Sequence, residues 1–374
     1  MENVEKTDKK EIKTTCLNRH HRELGATMVE FGGFDMPIEY PGAGIVAEHN
    51  AVRTKAGMFD VSHMGEVLVE GTEAQKFVNH IFTNNVSVIE DGAILYGMML
   101  NHKGGVVDDL LVYRVKEDKY FLVINASNIE KDVKWIEEQS RDFDVKITDC
   151  SDKYGEIALQ GPDAEKVMEE ILNIRCADLT FYTFRFVNVG GEDVIVSRTG
   201  YTGEDGFEIY ASHALIINMW EKLIENGVQP CGLGCRDTLR FEAGLPLYGD
   251  ELTDDITPVE AALSMFCKLD KEHFIGRDVI AHQKEHGVAR KSVGLEISGP
   301  AIARHGYEVL DENQNVIGYV TTGYRSITLD KNIAMALIDV QYSKIGTPVF
   351  VKVRKKVFPA TVIKKRFYTP NYKK

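Results

Sequence analysis

The chain has 374 residues, 44% of them hydrophobic and 27% charged, which excludes whole-chain disorder and collagen-like repetition and leaves room for two or three domains. Its formal charge of −13 makes it a poor general binder of nucleic acid. No apolar run approaches the roughly 18 residues of a membrane-spanning helix.

The opening MENVEKTDKKEIKTT is charged, includes acidic residues and has no apolar core. It reads as neither a secretory signal nor an organelle transit peptide, so residues 1–13 are expected to form a flexible tail and the protein to be cytoplasmic. FDVSHMGEVLVEG, residues 59–71, offers His63 as a general base, but no nucleophile with a positioned third group accompanies it. A satisfied core or strand-end histidine is the plainer reading. From 94 to 125, ILYGMML, the turn signal NHKGG, VVDDLLVYRV, KEDK and YFLVIN predict an antiparallel meander. Asn128 is placed to cap a helix that carries Ile129, Val133 and Ile136 on one face. A strand is expected at 156–160 and a helix beginning at Gly161-Pro162-Asp163. TFRFVNV and VIVSR flank a hairpin loop at Gly190-Gly191-Glu192-Asp193. FEIYAS is a strand, residues 213–226 an amphipathic helix, and CRDTLRFEAG a further helix.

Beyond about residue 290 the pattern is nearly all β, with hairpins in GYEVLDENQNVIGYVTTG and TPVFVKVRKKVFPATVIKK. The expectation is α+β followed by a small barrel or sandwich. Residues 352–374 hold nine basic residues and no acidic one, so the net −13 divides into +9 here and −22 on the remainder. That end is either a docking surface for something anionic or a solvated, lysine-protected strand edge.

Six dispersed cysteines do not make a disulfide framework in a chain this long, and the thiols are read as reduced. Cys231 and Cys235 lie four apart with no second Cys/His pair at zinc-ligand spacing. His282 and His286, also four apart, enclose Gln-Lys-Glu and read as a polar helix face.

Three features carry chemistry. Asp108 and Asp109 interrupt an apolar strand, and successive strand side chains face opposite ways. One carboxylate therefore points into a lined cavity, or the pair ends a strand and caps a turn. In SRTGYTGEDGFE, residues 197–208, Gly200, Gly203 and Gly206 suit a tight loop that a ligand approaches closely. Its carboxylates exclude a phosphate cradle and suit a ligand rich in N–H donors; a plain loop with a capping Glu208 is the alternative. In GLGCRDTLRFEAGLPLYGDEL, Arg236 and Arg240 share a helix face, where they pair with Asp237 and Glu242 or clamp a substrate.

Taken with FGGFDMPIEY, INASNIEKD, ALQGP, the ITPVEA segment and IGYVTTG, these motifs resemble the glycine cleavage T-proteins, tetrahydrofolate-dependent aminomethyltransferases, over roughly residues 15 to 372. Phe34, where relatives often carry Trp, and Cys235, where Ala is usual, are departures that remove no charge. The resemblance implies an α+β, three-lobed folate-binding fold, antiparallel sheets with helices plus a C-terminal β-barrel. It implies a folate-binding region of two intertwined lobes at 14–285 and a barrel domain at 286–374. It further implies Asp109 as the catalytic carboxylate, and Tyr96, Asn125, Tyr201, Glu208, Arg236 and Tyr372 around the folate. Tetrahydrofolate is then the co-substrate, with no metal and no pyridoxal phosphate at this step. The partner is the lipoylated carrier H-protein, with no nucleic acid and no membrane. A folate-dependent demethylase on the same fold is the nearest alternative. A non-enzymatic folate-binding assembly factor would carry a Lys-Gly-Cys-Tyr-x-Gly-Gln-Glu signature, which is not found here.

Overall fold

The computed structural model describes residues 11–373. Of the expected tail, residues 1–10 lie outside the described residues, while Lys13 is bridged to Phe34. The expected meander is present as strands Ile94–Leu100, Val106–Lys116 and Lys119–Ile124. Gly65–Glu70 and Lys146–Asp149 extend it, in that order, to a five-stranded antiparallel sheet. Alternation puts Val67, Val69, Val112 and Leu122 on one face, where Phe77, Val78 and Ile136 from two helices bury them. Each such side chain contributes about 1.5–3 kcal/mol.

A six-stranded sheet runs in the order Phe184–Val189, Glu192–Ser197, Gly206–Ala211, Gly155–Gln160, Gly57–Asp60, Gln229–Pro230. All its pairs are antiparallel except the last. The chain leaves this sheet after Asp60, builds the five-stranded lobe, and returns at Gly155. The hairpin loop is shorter than expected. Gly190 and Gly191 alone turn the chain, at φ 65° and 94°, and Glu192 and Asp193 belong to the strand. Two consecutive left-handed residues match the twist of the flanking strands. Helix His213–Glu225 is capped by the Ser212 side chain and packs Ile216, Trp220 and Leu223 against Ile157, Leu159 and Phe207.

The third lobe is a closed six-stranded barrel, Arg290–Ile297, Asn332–Asp339, Val316–Arg325, Glu308–Leu310, Pro348–Val353, Lys356–Ile363. Beyond it the chain crosses back to the first region. The Tyr368 N–H donates to the Glu242 carbonyl (2.7 Å) and the Asn371 N–H to the Gly203 carbonyl (2.8 Å). Among the described residues no helix is long and apolar enough to cross a membrane.

Candidate active site

A cavity of about 380 Å³ lies between the five-stranded lobe and the six-stranded sheet, with the returning C-terminus on its wall. Asp109 and Asn125 line it from the five-stranded lobe, Glu208 from the six-stranded sheet, Tyr201 and Arg236 from the segments between, and Lys365 from the returning C-terminus. Six of the seven residues expected at the site, Tyr96 included, therefore share one cavity. Tyr372 is not on its wall. Its ring stacks on Phe181 (4.2 Å between centroids), the chain neighbour of the cavity-lining Tyr182.

The two aspartates of the 106–116 strand face opposite ways, as strand geometry demands. Asp109 faces the cavity, where it accepts from the Tyr96 hydroxyl (2.9 Å) and the Asn125 amide (3.0 Å). Burial, then the neighbouring Asp108, push its carboxyl up to about 7. Asp108 is fully buried and accepts from the Asn125 N–H (3.0 Å), the Asn125 amide (2.9 Å) and the Asn128 amide (2.6 Å). Asn128 thus precedes the Ile129–Gln139 helix without capping it through its side chain, which is instead turned to donate its amide to the Asp108 carboxylate. On the same helix Asp132 is buried, and burial with Asp108 beside it pushes its carboxyl strongly up, toward the neutral acid. Sequence reasoning missed Asp132, although an acid on a helix's apolar side is a readable signal.

At the other end Glu208 accepts from the Thr199 hydroxyl, and burial raises its carboxyl above the ordinary range. Thr199 begins a chain of buried hydroxyls: Ser197 Oγ (2.7 Å), Tyr113 OH (3.2 Å) and Tyr210 OH (3.0 Å). The glycine loop between Ser197 and Glu208 is shaped by the protein itself. A Cβ at Gly200 would lie 1.9 Å from the Gln160 side chain, and one at Gly206 2.5 Å from it. Gln160 donates to the Thr199 carbonyl and accepts from Thr202, so its side chain is one close neighbour that the glycines admit, while Gly200 also lines the cavity. Gly203, at φ +82°, is packed against Ala243 and Tyr368.

Arg236 lies over the Tyr201 ring (4.5 Å) and, among the described residues, forms no salt bridge. It stands within electrostatic reach of Glu208, which it lowers against the effect of burial. Tyr201 donates its hydroxyl to the Pro246 carbonyl. Arg240 is different. It is buried and pairs with Asp237 (2.6 Å) and Glu251 (2.8 Å). The expected Glu242 partner instead binds Arg53 (3.0 Å), because it lies on the helix face toward the Gly44–Thr54 helix.

His63 is buried as a core residue, but it is not satisfied. Among the described residues neither ring nitrogen has a partner, Phe31 and Phe34 meet it edge-on, and burial lowers it to about 3, which makes it a weak base. The basic end is not one patch. Lys352 pairs with Glu308 and Lys373 with Glu165, while Lys365 and Arg366 line the cavity. All six cysteines are free thiols. Cys231 and Cys235 gain a third potential ligand in Glu48, all within 4.8 Å. Glu48 already accepts from the Tyr40 N–H (2.7 Å) and the Gly232 N–H (2.9 Å), which anchors the Leu233–Glu242 helix.

Residues 17–271 match the family described as the GCVT N-terminal domain, and residues 290–369 the glycine cleavage T-protein C-terminal barrel domain. An aminomethyltransferase of Caldanaerobacter subterraneus subsp. tengcongensis is 49% identical over 368 residues, 97% of this chain and 98% of that one. One from Clostridium botulinum (strain ATCC 19397 / Type A) is 50% identical over 370 residues, 97% of this chain and 99% of that one. The crystal structure of glycine cleavage system aminomethyltransferase T from Bartonella henselae superposes with a TM-score of 0.92 at 33% identity, covering 97% of this chain and 100% of that one.

Proposed function

Because the chain belongs to the glycine cleavage T-protein family, whose aminomethyl transfer it carries out, we propose that Asp109 is the carboxylate on which that transfer turns. The methylene of an aminomethyl group on a dihydrolipoyl arm passes to tetrahydrofolate, ammonia leaves, and 5,10-methylene-tetrahydrofolate forms. The observation behind the assignment is a cavity-facing carboxyl held by Tyr96 and Asn125 above a second buried aspartate. As ammonia leaves, positive charge develops on the methylene. A fixed carboxylate in a water-poor cavity stabilises that charge without reorganising at the moment of reaction.

Glu208 supports the reading at the far end. A carboxylate accepts two parallel N–H bonds, the pattern presented by the amino-pyrimidine edge of a pterin. Tyr201 and Arg236 flank the ring, and Tyr372 acts through the Phe181–Tyr182 pair. Lys365 and Arg366 suit the anionic end of the folate. Holding both substrates replaces a collision by a fixed geometry, and excluding water protects the one-carbon unit. The reading routes no step through a metal ion or pyridoxal phosphate. The arm is delivered by the lipoylated H-protein, steered by exposed basic residues such as Lys364. Residues 14–285 form the folate-binding region in this reading and 286–374 the barrel domain.

The test is ammonia release from an aminomethylated lipoyl carrier in the presence of tetrahydrofolate. Release that needs both substrates and collapses in Asp109→Asn supports the assignment. Undiminished release in that variant removes Asp109 from the chemistry.

A further inference from the structure

Glu156, in the strand Gly155–Gln160, is 2% exposed and lines the cavity. Its Oε2 is buried and has no hydrogen-bond partner among the described residues. Strand register pairs Glu156 with Tyr210 and Ala158 with Glu208. Residues directly opposite share a face, so Glu156 and Glu208 are diagonal neighbours on the cavity side of one sheet.

A chain of hydroxyls joins the two carboxyls' surroundings. Four bonds link Glu208, Thr199, Ser197, Tyr113 and Tyr210, and four hydroxyls supply one proton each. Thr199 spends its proton on Glu208. The Ser197 hydroxyl also reaches the Glu208 carbonyl (3.4 Å), so the Thr199–Ser197–Tyr113–Tyr210 bonds have no single forced direction. The Tyr210 hydroxyl faces Glu156, and where it donates to the carboxyl it works against the effect of burial. An ionised Glu156 would leave its buried Oε2 without a partner among the described residues and beside the Glu208 carboxyl, so the arrangement favours the protonated acid.

We propose that Glu156 is a specificity-determining residue of the pterin pocket, whose carboxylic O–H donates to a ring acceptor of the folate while Glu208 accepts from the ring's N–H groups. The inference rests on the reading of this cavity as the folate site. One acid and one carboxylate side by side match a ring edge that presents both acceptors and donors. Burial, Glu208 and Glu66 raise the Glu156 carboxyl well above the usual range, while the Tyr210 hydroxyl and Arg236 oppose them. Glu66 faces it from the Gly65–Glu70 strand, Glu208 and Tyr210 from Gly206–Ala211, Tyr113 from Val106–Lys116, and Arg236 from Leu233–Glu242.

The experiment measures tetrahydrofolate affinity and the infrared difference spectrum on binding, in the full chain. Glu156→Leu should weaken binding about tenfold, and Glu156→Gln, which keeps a neutral donor, should recover most of that loss. Binding should shift a protonated-carboxyl C=O band that Glu156→Gln removes. Parental affinity in Glu156→Leu, equal loss in both variants, or a band that survives in Glu156→Gln would overturn the proposal. If the leucine variant does not fold, the band in the glutamine variant decides. Glu208→Gln separates the two readings: if it binds folate as tightly as the parent, the pterin pocket itself is misplaced.

Discussion

The two ends of the cavity use carboxyls in opposite ways. At the five-stranded end, Asp109 is held by one hydroxyl and one amide, with Asp108 directly beneath it. At the six-stranded end, Glu208 is held by a line of hydroxyls, with an unsatisfied Glu156 beside it. Burial raises both carboxyls. Only Asp109 has an anionic neighbour in its own strand to push it further. That difference suits Asp109 to meeting a charge that appears during reaction, and Glu208 to a permanent row of donors.

The sharpest way to break this contrast is Asp109→Asn. It should lower turnover by about 10²–10³-fold with little change in folate affinity, as expected for a group acting in the transition state. Asp108→Asn is the control. It disturbs the acceptor for Asn125 and Asn128, so its first effect should be on stability, a loss of about 1–3 kcal/mol read by thermal unfolding. Matching effects from the two variants would erase the distinction between them. At the opposite end, Glu208→Ala should weaken tetrahydrofolate binding by about one to two decades, measured by titration.

A pH profile sharpens the same contrast. If Asp109 acts as proposed, its ionised form is the active one, and burial with Asp108 beside it pushes the carboxyl up to about 7. Turnover should therefore fall as pH drops below about 7, approaching tenfold per unit, and Asp109→Asn should lose that limb. The stability effect has the other sign. A carboxyl raised from 3.8 to about 7 in the folded state costs stability as pH climbs through that window. Asp109→Asn should thus unfold at a higher temperature than the parent at pH 8, with the gap closing at acid pH. The smallest effect belongs outside the cavity. Lys364→Ser should raise the carrier KM about two- to threefold at low salt, vanish at high salt, and leave folate affinity alone. A salt-independent carrier KM would reduce Lys364 to a solvated edge residue.

Legibility in the sequence follows how local each signal is. Asp109 stands out as a charge in an apolar strand. Glu156 carries the same signal within Gly-Glu-Ile-Ala-Leu-Gln, yet a single carboxyl in a short strand does not reveal which face is lined by a cavity. Glu208 is ambiguous in its loop and was assigned through resemblance. The partners of Glu242 were misread because Arg53 lies 189 positions away in sequence. The glycine spacing indicated close approach correctly, but not that Gln160 is one of the close neighbours.

What the sequence by itself determined was the class of structure and the family. Period-two strands, turn signals and the change to all-β beyond residue 290 depend on neighbours along the chain, and so do the long motifs. What only the tertiary structure decided was protonation and partnership. Asp132 and Glu156 are pushed toward the neutral acid by burial and by carboxyls on other elements, and the C-terminal cations are divided between surface ion pairs and the cavity wall. Desolvation and through-space charge depend on distance in three dimensions, which no spacing along the chain encodes.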